Sequence, residues 1–133
     1  MNELAVEATL ANMNAVQDFI SAHIADCSVK IQNQIRIAVD EIFSNISRYA
    51  YRPETGSAVV RIAVNEDIMI EVEDSGIAFD PLTTDAPDIS LTAEEREIGG
   101  IGLFMVKNLM DSVEYRREGD NNIVTIRKKR RRP

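Results

Sequence analysis

Apolar residues recur at helical spacing from about residue 28 to residue 49, where Ile31, Ile35, Ala38, Ile42 and Ile46 mark one face. The segment Arg52-Pro53-Glu54-Thr55-Gly56 then breaks the chain. Before this helix, Val16, Phe19, Ile20, His23 and Ile24 fall on one side of a shorter one, which Asn12 or Asn14 can cap. Leu4, Val6 and Ala8 alternate with polar residues, which predicts a short edge strand. Two β-branched runs, residues 58–64 and 68–73, are joined by Asn65-Glu66-Asp67 and predict an antiparallel hairpin. A second hairpin is predicted near the end, residues 113–116 and 123–127, around Gly119-Asp120-Asn121-Asn122. Residues 75–98 show no period and carry turns at Asp80-Pro81 and Ala86-Pro87. A connection of that length is more often functional than idle. The glycines of Ile98-Gly99-Gly100-Ile101-Gly102 then open an amphipathic helix to about Met110. Helices interleaved with antiparallel hairpins predict an α+β fold, a two-layer sandwich whose mostly antiparallel sheet is covered on one face by helices.

At 133 residues the chain reads as one domain, residues 1–128, followed by a basic tail, 129–133. The net charge is −7, but Arg127-Lys128-Lys129-Arg130-Arg131-Arg132 contributes +6, so the rest of the chain carries −13. An acidic body repels nucleic acid and suits a partner with a basic surface. The basic end fits either an anion-binding tail or the solubilising end of a last strand. The lack of Trp argues against a base-stacking platform. Cys27 is the sole cysteine, so one chain can form neither a disulfide nor a thiolate metal site, and a reducing cytoplasm is the expected compartment. The N-terminus lacks the basic start and apolar run of a signal peptide, and no apolar stretch is long enough to span a membrane.

Three features carry candidate chemistry. Glu41 and Asn45, four residues apart, project from nearly one side of the long helix at the border of its apolar face. A carboxylate there can act as a general base, and an amide oxygen is a neutral ligand that Mg²⁺ accepts beside phosphate oxygens. The same pair also fits a solvated helix flank. Asp74 ends an apolar strand and is followed by Ser75-Gly76. A carboxylate there can accept from an exocyclic amine such as that of adenine, with a flat ring lying against the glycine. An ordinary Asp-Ser-Gly turn also fits. The glycine-opened helix presents unpaired amides to an anion, or is simply a turn. His23, the sole histidine, sits on a short amphipathic helix and reads as a packed or half-exposed structural residue. Ser21, Ser44 and Ser75 lack a histidine base.

In this order the three features resemble the GHKL ATP-binding superfamily, and within it the stand-alone anti-sigma-factor serine kinases of bacterial stress and sporulation switches. Ala38-Val39-Asp40-Glu41-Ile42-Phe43-Ser44-Asn45 with Tyr49-Ala50-Tyr51 resembles that family's N box. Asp74-Ser75-Gly76-Ile77-Ala78-Phe79-Asp80-Pro81 resembles its first glycine box, and Gly99-Gly100-Ile101-Gly102-Leu103 with Leu109-Met110-Asp111 its second. The resemblance implies a Bergerat-type ATP-binding fold with ATP or ADP and Mg²⁺ bound. Glu41 would be the general base and Asn45 the Mg²⁺ ligand. Asp74 would take the adenine amine, with Gly76 and Ala78 beside the ring. Gly99, Gly100, Ile101, Gly102 and Leu103 would cradle phosphates under a lid of residues 82–98, and Thr125 would support the adenine site through water. Ala78 stands where many members have a second glycine, and Tyr49 where a histidine is frequent.

The implied activity is that of an anti-sigma factor with ATP-dependent serine-protein kinase activity. Its partners would be a sigma factor and an anti-anti-sigma protein phosphorylated on Ser or Thr, with a homodimer as the assembly. The alternatives are a catalytically weak nucleotide-gated binding module, or a stand-alone ATPase with a non-sigma partner.

Overall fold

Alternation at the N-terminus forms β1, Asn2–Glu7, whose Leu4 and Val6 pack against the core. Asn12 precedes α1, Met13–His23, without capping it: Asn12 Nδ2 donates to the Glu7 carbonyl at 2.8 Å and ties the helix start to the strand. The long helix, α2, spans Val29–Asn45. Ser28 caps it, with Oγ accepting from the Ile31 N–H at 3.2 Å. The α-helical register ends at Asn45, earlier than the apolar spacing predicts, and a single π turn follows over Ile46–Ala50. Such wider turns often mark functional sites.

The structure, a computed structural model, describes residues 1–51, 54–78 and 101–130. The remaining elements are β2, Ser57–Val64; β3, Asp67–Asp74; α3, Ile101–Leu109; β4, Ser112–Glu118; and β5, Asn121–Lys129. The five strands form one sheet in the order β1-β2-β3-β5-β4, and every neighbouring pair is antiparallel. Both hairpin turns are tighter than the sequence predicts. Asp67 belongs to β3, and Asn121 and Asn122 belong to β5. Gly119 makes the second turn at φ +59°, a left-handed conformation that suits glycine.

The register separates the two sheet faces. Ala58, Val60 and Ile62 stand opposite Asp74, Val72 and Ile70, which in turn stand opposite Asn122, Val124 and Ile126. This face is buried against the helices, where Ile20, Ile24, Ile35 and Phe43 are fully enclosed. Each such side chain contributes about 1.5–3 kcal/mol by leaving water. The opposite face carries charge: Arg61 pairs with Glu3, Glu71 and Glu73, and Arg116 pairs with Glu71 and Glu118.

The basic C-terminal run is built into the fold as far as Arg130. β5 extends through Lys129. Lys128 is buried, and its Nζ donates to the Leu109 carbonyl at 2.6 Å, a cation against the last turn of α3. Arg130 pairs with Asp26. Residues 131–133 lie outside the described residues.

Candidate functional site

Asp74 closes β3 on the buried face and is itself buried. Its Oδ1 accepts from the Gly76 N–H at 2.9 Å and from Asn122 Nδ2 at 3.0 Å. Asn122, opposite Asp74 in the register, also donates to the Ile77 carbonyl at 2.8 Å. Its Oδ1 accepts from the Tyr115 hydroxyl at 2.6 Å and from Arg117 at 3.1 Å. Because Arg117 can only donate, the amide orientation is fixed and Nδ2 is turned to the carboxylate. Arg117 also donates to the Gly76 carbonyl at 3.0 Å. Gly76 is needed for packing: a Cβ there would lie 2.2 Å from the Ala50 carbonyl oxygen. Ala78 is exposed.

Glu41 and Asn45 lie half-buried on α2, which packs against α3. Burial raises the Glu41 carboxyl above its usual range. The neighbouring Asp40 charge adds to the rise, and Arg48 opposes it. Both amide atoms of Asn45, Oδ1 and Nδ2, are buried and have no hydrogen-bond partner among the described residues. A buried amide left unpaired costs about 1–3 kcal/mol per group, so it marks a place that a ligand can complete. Among the described residues no group of three His, Cys, Asp or Glu side chains could hold a metal.

The π turn links α2 to the loop after Asp74. It ends at Ala50, whose carbonyl accepts from the Ile77 N–H at 3.0 Å, so α2 and the loop after Asp74 are bonded directly. The α3 C-terminus is fixed by Lys128, and Lys128 stands opposite Ile68 at the start of β3, the end of the sheet away from Asp74. The helix begins at Ile101 and includes Gly102 and Leu103. Gly99, Gly100 and the expected lid over 82–98 lie outside the described residues.

Thr125 is not part of this cluster. It faces the opposite side of the sheet, where its Oγ1 donates to Glu71 at 3.3 Å and accepts from Arg116 at 3.5 Å. The sheet separates it from Asp74. The side chain that supports Asp74 is Asn122, which the sequence reading left in a turn. Val124 and Ile126 point inward, so counting back by two along β5 reaches Asn122, and the same alternation turns Thr125 outward. His23 is a packed residue, its ring edge-on to Phe19 with centroids 5.1 Å apart. Cys27 is buried, and burial pushes its thiol pKa up.

The histidine kinase-like ATPase domain family matches residues 6–128. The chain belongs to that family. Among ATPase-domain relatives, the serine-protein kinase RsbW of Listeria monocytogenes is 33% identical over 108 residues, which cover 76% of this chain and 69% of that protein. The serine/threonine-protein kinase BtrW of Bordetella bronchiseptica is 27% identical over 101 residues, 74% of this chain and 71% of that protein. The crystal structure of the RsbU and RsbW domains of a Mycobacterium tuberculosis protein superposes with a TM-score of 0.64 at 15% identity, covering 100% of this chain. The chain spans 34% of that structure, and the likeness shows the ATPase-domain fold. Among the described residues no helix is long and apolar enough to cross a membrane.

Proposed function

We propose that this ATPase-domain protein is an ATP-dependent protein-serine kinase that also acts as an anti-sigma factor. It holds a sigma factor and releases it when an anti-anti-sigma protein competes. It then phosphorylates a serine of that competitor. The observation that carries this reading is the unpartnered buried amide of Asn45, one turn beyond a Glu41 whose carboxyl is raised by burial. The named activity of the RsbW and BtrW relatives supports the choice of serine as acceptor.

Asp74 receives the adenine amine. Its Oδ1 already accepts two N–H groups, so the carboxylate is held as an acceptor. Asn45 Oδ1 would hold Mg²⁺ together with phosphate oxygens and water. The bound ion would neutralise charge on the phosphates during in-line transfer. The first amides of α3 would take the phosphates, a role the family resemblance extends to Gly99 and Gly100. Glu41 takes the proton of the attacking serine hydroxyl, and its raised pKa makes it a stronger base than an exposed carboxylate.

The test uses γ-labelled ATP with Mg²⁺ and an anti-anti-sigma protein of the same organism as acceptor. The parent is expected to label a serine. Glu41→Gln is expected to bind ATP as the parent does and to lose transfer by on the order of 10²-fold or more. Full transfer by that variant would contradict the role of Glu41.

A further inference from the structure

The ladder between β2 and β3 ends in an unusual way. Its last pair is Ala58 with Asp74, so one step further Ser57 faces Ser75. A side-chain hydroxyl stands between those two residues. Tyr51 Oη accepts from the Ser75 N–H and donates to the Ser57 carbonyl, both at 2.6 Å. Its donor and an acceptor site are thus both used by backbone groups of adjoining strands. The ring lies over Gly56, where a Cβ would come within 2.3–2.5 Å of three ring carbons. Tyr51 directly follows Ala50, which accepts from Ile77. Two consecutive residues beyond α2 therefore grip the loop on either side of Gly76, immediately after Asp74.

We propose that Tyr51 is a positioning residue for Asp74. Its hydroxyl wedges the end of β3 away from β2 and fixes the Asp74 carboxylate relative to the helix that carries Glu41 and Asn45. Tyr51 acts by setting the spacing between the base-reading carboxylate and the phosphate half of the site. This inference rests on the reading of Asp74 as the adenine acceptor. A loosened carboxylate loses its preference for a base that offers an amine over one that offers a carbonyl, and phosphate contacts are unaffected.

The experiment measures ATP and GTP binding by calorimetry for the parent, Tyr51→Phe and Asp74→Asn. Phenylalanine keeps the ring over Gly56 and removes only Oη. Tyr51→Phe is expected to weaken ATP binding roughly tenfold and leave GTP binding unchanged, so the preference for ATP falls. A merely structural role would weaken both nucleotides alike, and that result would overturn the proposal. If Asp74→Asn loses the preference while Tyr51→Phe keeps it, Tyr51 has no positioning role and the reading of Asp74 stands. If Asp74→Asn keeps the parent's preference, that reading fails and the proposal fails with it. Should Tyr51→Phe not fold, Gly56→Ala decides in its place: it crowds the ring, leaves the hydroxyl chemistry intact, and is expected to lose the same preference.

Discussion

Glu41 weakens the fold at neutral pH. Its folded-state pKa lies above the ordinary 4.5, chiefly because burial penalises the charged form. Below about pH 4.5 the group is protonated in both the folded and the unfolded chain, and no penalty exists. As the pH rises from there through the folded pKa, the unfolded chain ionises first and stability is lost. Glu41→Gln removes that loss. The variant is expected to melt above the parent at pH 7 and to converge with it near pH 4, a comparison that thermal scans at a series of pH values check. Equal melting temperatures at neutral pH would contradict the burial argument. The transfer rate has the matching signature: its acid limb should fall at a higher pH than an unperturbed carboxylate allows. Groups held at a cost to stability in this way are common at functional sites. Asn45, with an unpaired buried amide, is a second such residue on the same face of α2.

The π turn and the Asp74 loop act as one element. Gly76 lies against the end of the turn so closely that a Cβ would sit 2.6 Å from both the carbonyl carbon and the Cβ of Ala50. Backbone atoms cannot yield as a flexible side chain would. Gly76→Ala should therefore cost about 1–3 kcal/mol of stability, read from denaturant unfolding. An unchanged midpoint would mean that the loop has slack. The sequence made much of this element legible. The spacing of Ile31, Ile35, Ala38 and Ile42 located α2, and Glu41 and Asn45 came out on one half-buried face as the period required. The π turn stayed hidden because Ile42 and Ile46, four apart, fit an α-helix equally well. The ends of the last hairpin were hidden for another reason. Asn121 and Asn122 are common turn residues, yet their backbone pairs with β3, where the fully bonded Asn122 amide offsets its burial. The resemblance implies a role for Thr125 at the adenine site, whereas strand alternation turns its side chain to the face away from Asp74. Residues 129–133 read as a tail because charge alone does not reveal that Lys129 ends β5 and Arg130 meets Asp26.

Across the whole molecule, the two ends of the sheet have different tasks. At one end Lys128 holds the last turn of α3 and Arg130 ties β5 to Asp26, so that end is an anchor. At the other end β3 stops at Asp74, and Asn122 of β5 and Arg117 of β4 bond to the carboxylate and its loop. One helical layer covers the sheet and leaves its far face to ion pairs, of which Arg61–Glu71 and Arg61–Glu73 are largely shielded and Arg116–Glu118 is exposed and worth little. Composition and periodicity were enough to predict this two-layer arrangement, because a single covered face needs alternating strands and one-sided helices. They could not say which end of the sheet holds the site. The register sets Asp74 opposite Asn122 at the end where the proposed site lies. The central claim is that this end reads adenine. It is tested most directly by melting the parent protein and Asp74→Asn with and without ATP and Mg²⁺. At a nucleotide concentration one hundred times the dissociation constant, binding adds about 2.7 kcal/mol to the folded state. The parent is expected to gain roughly 5–10 °C and Asp74→Asn little or nothing. An equal gain in both proteins, or none in the parent, would contradict the account.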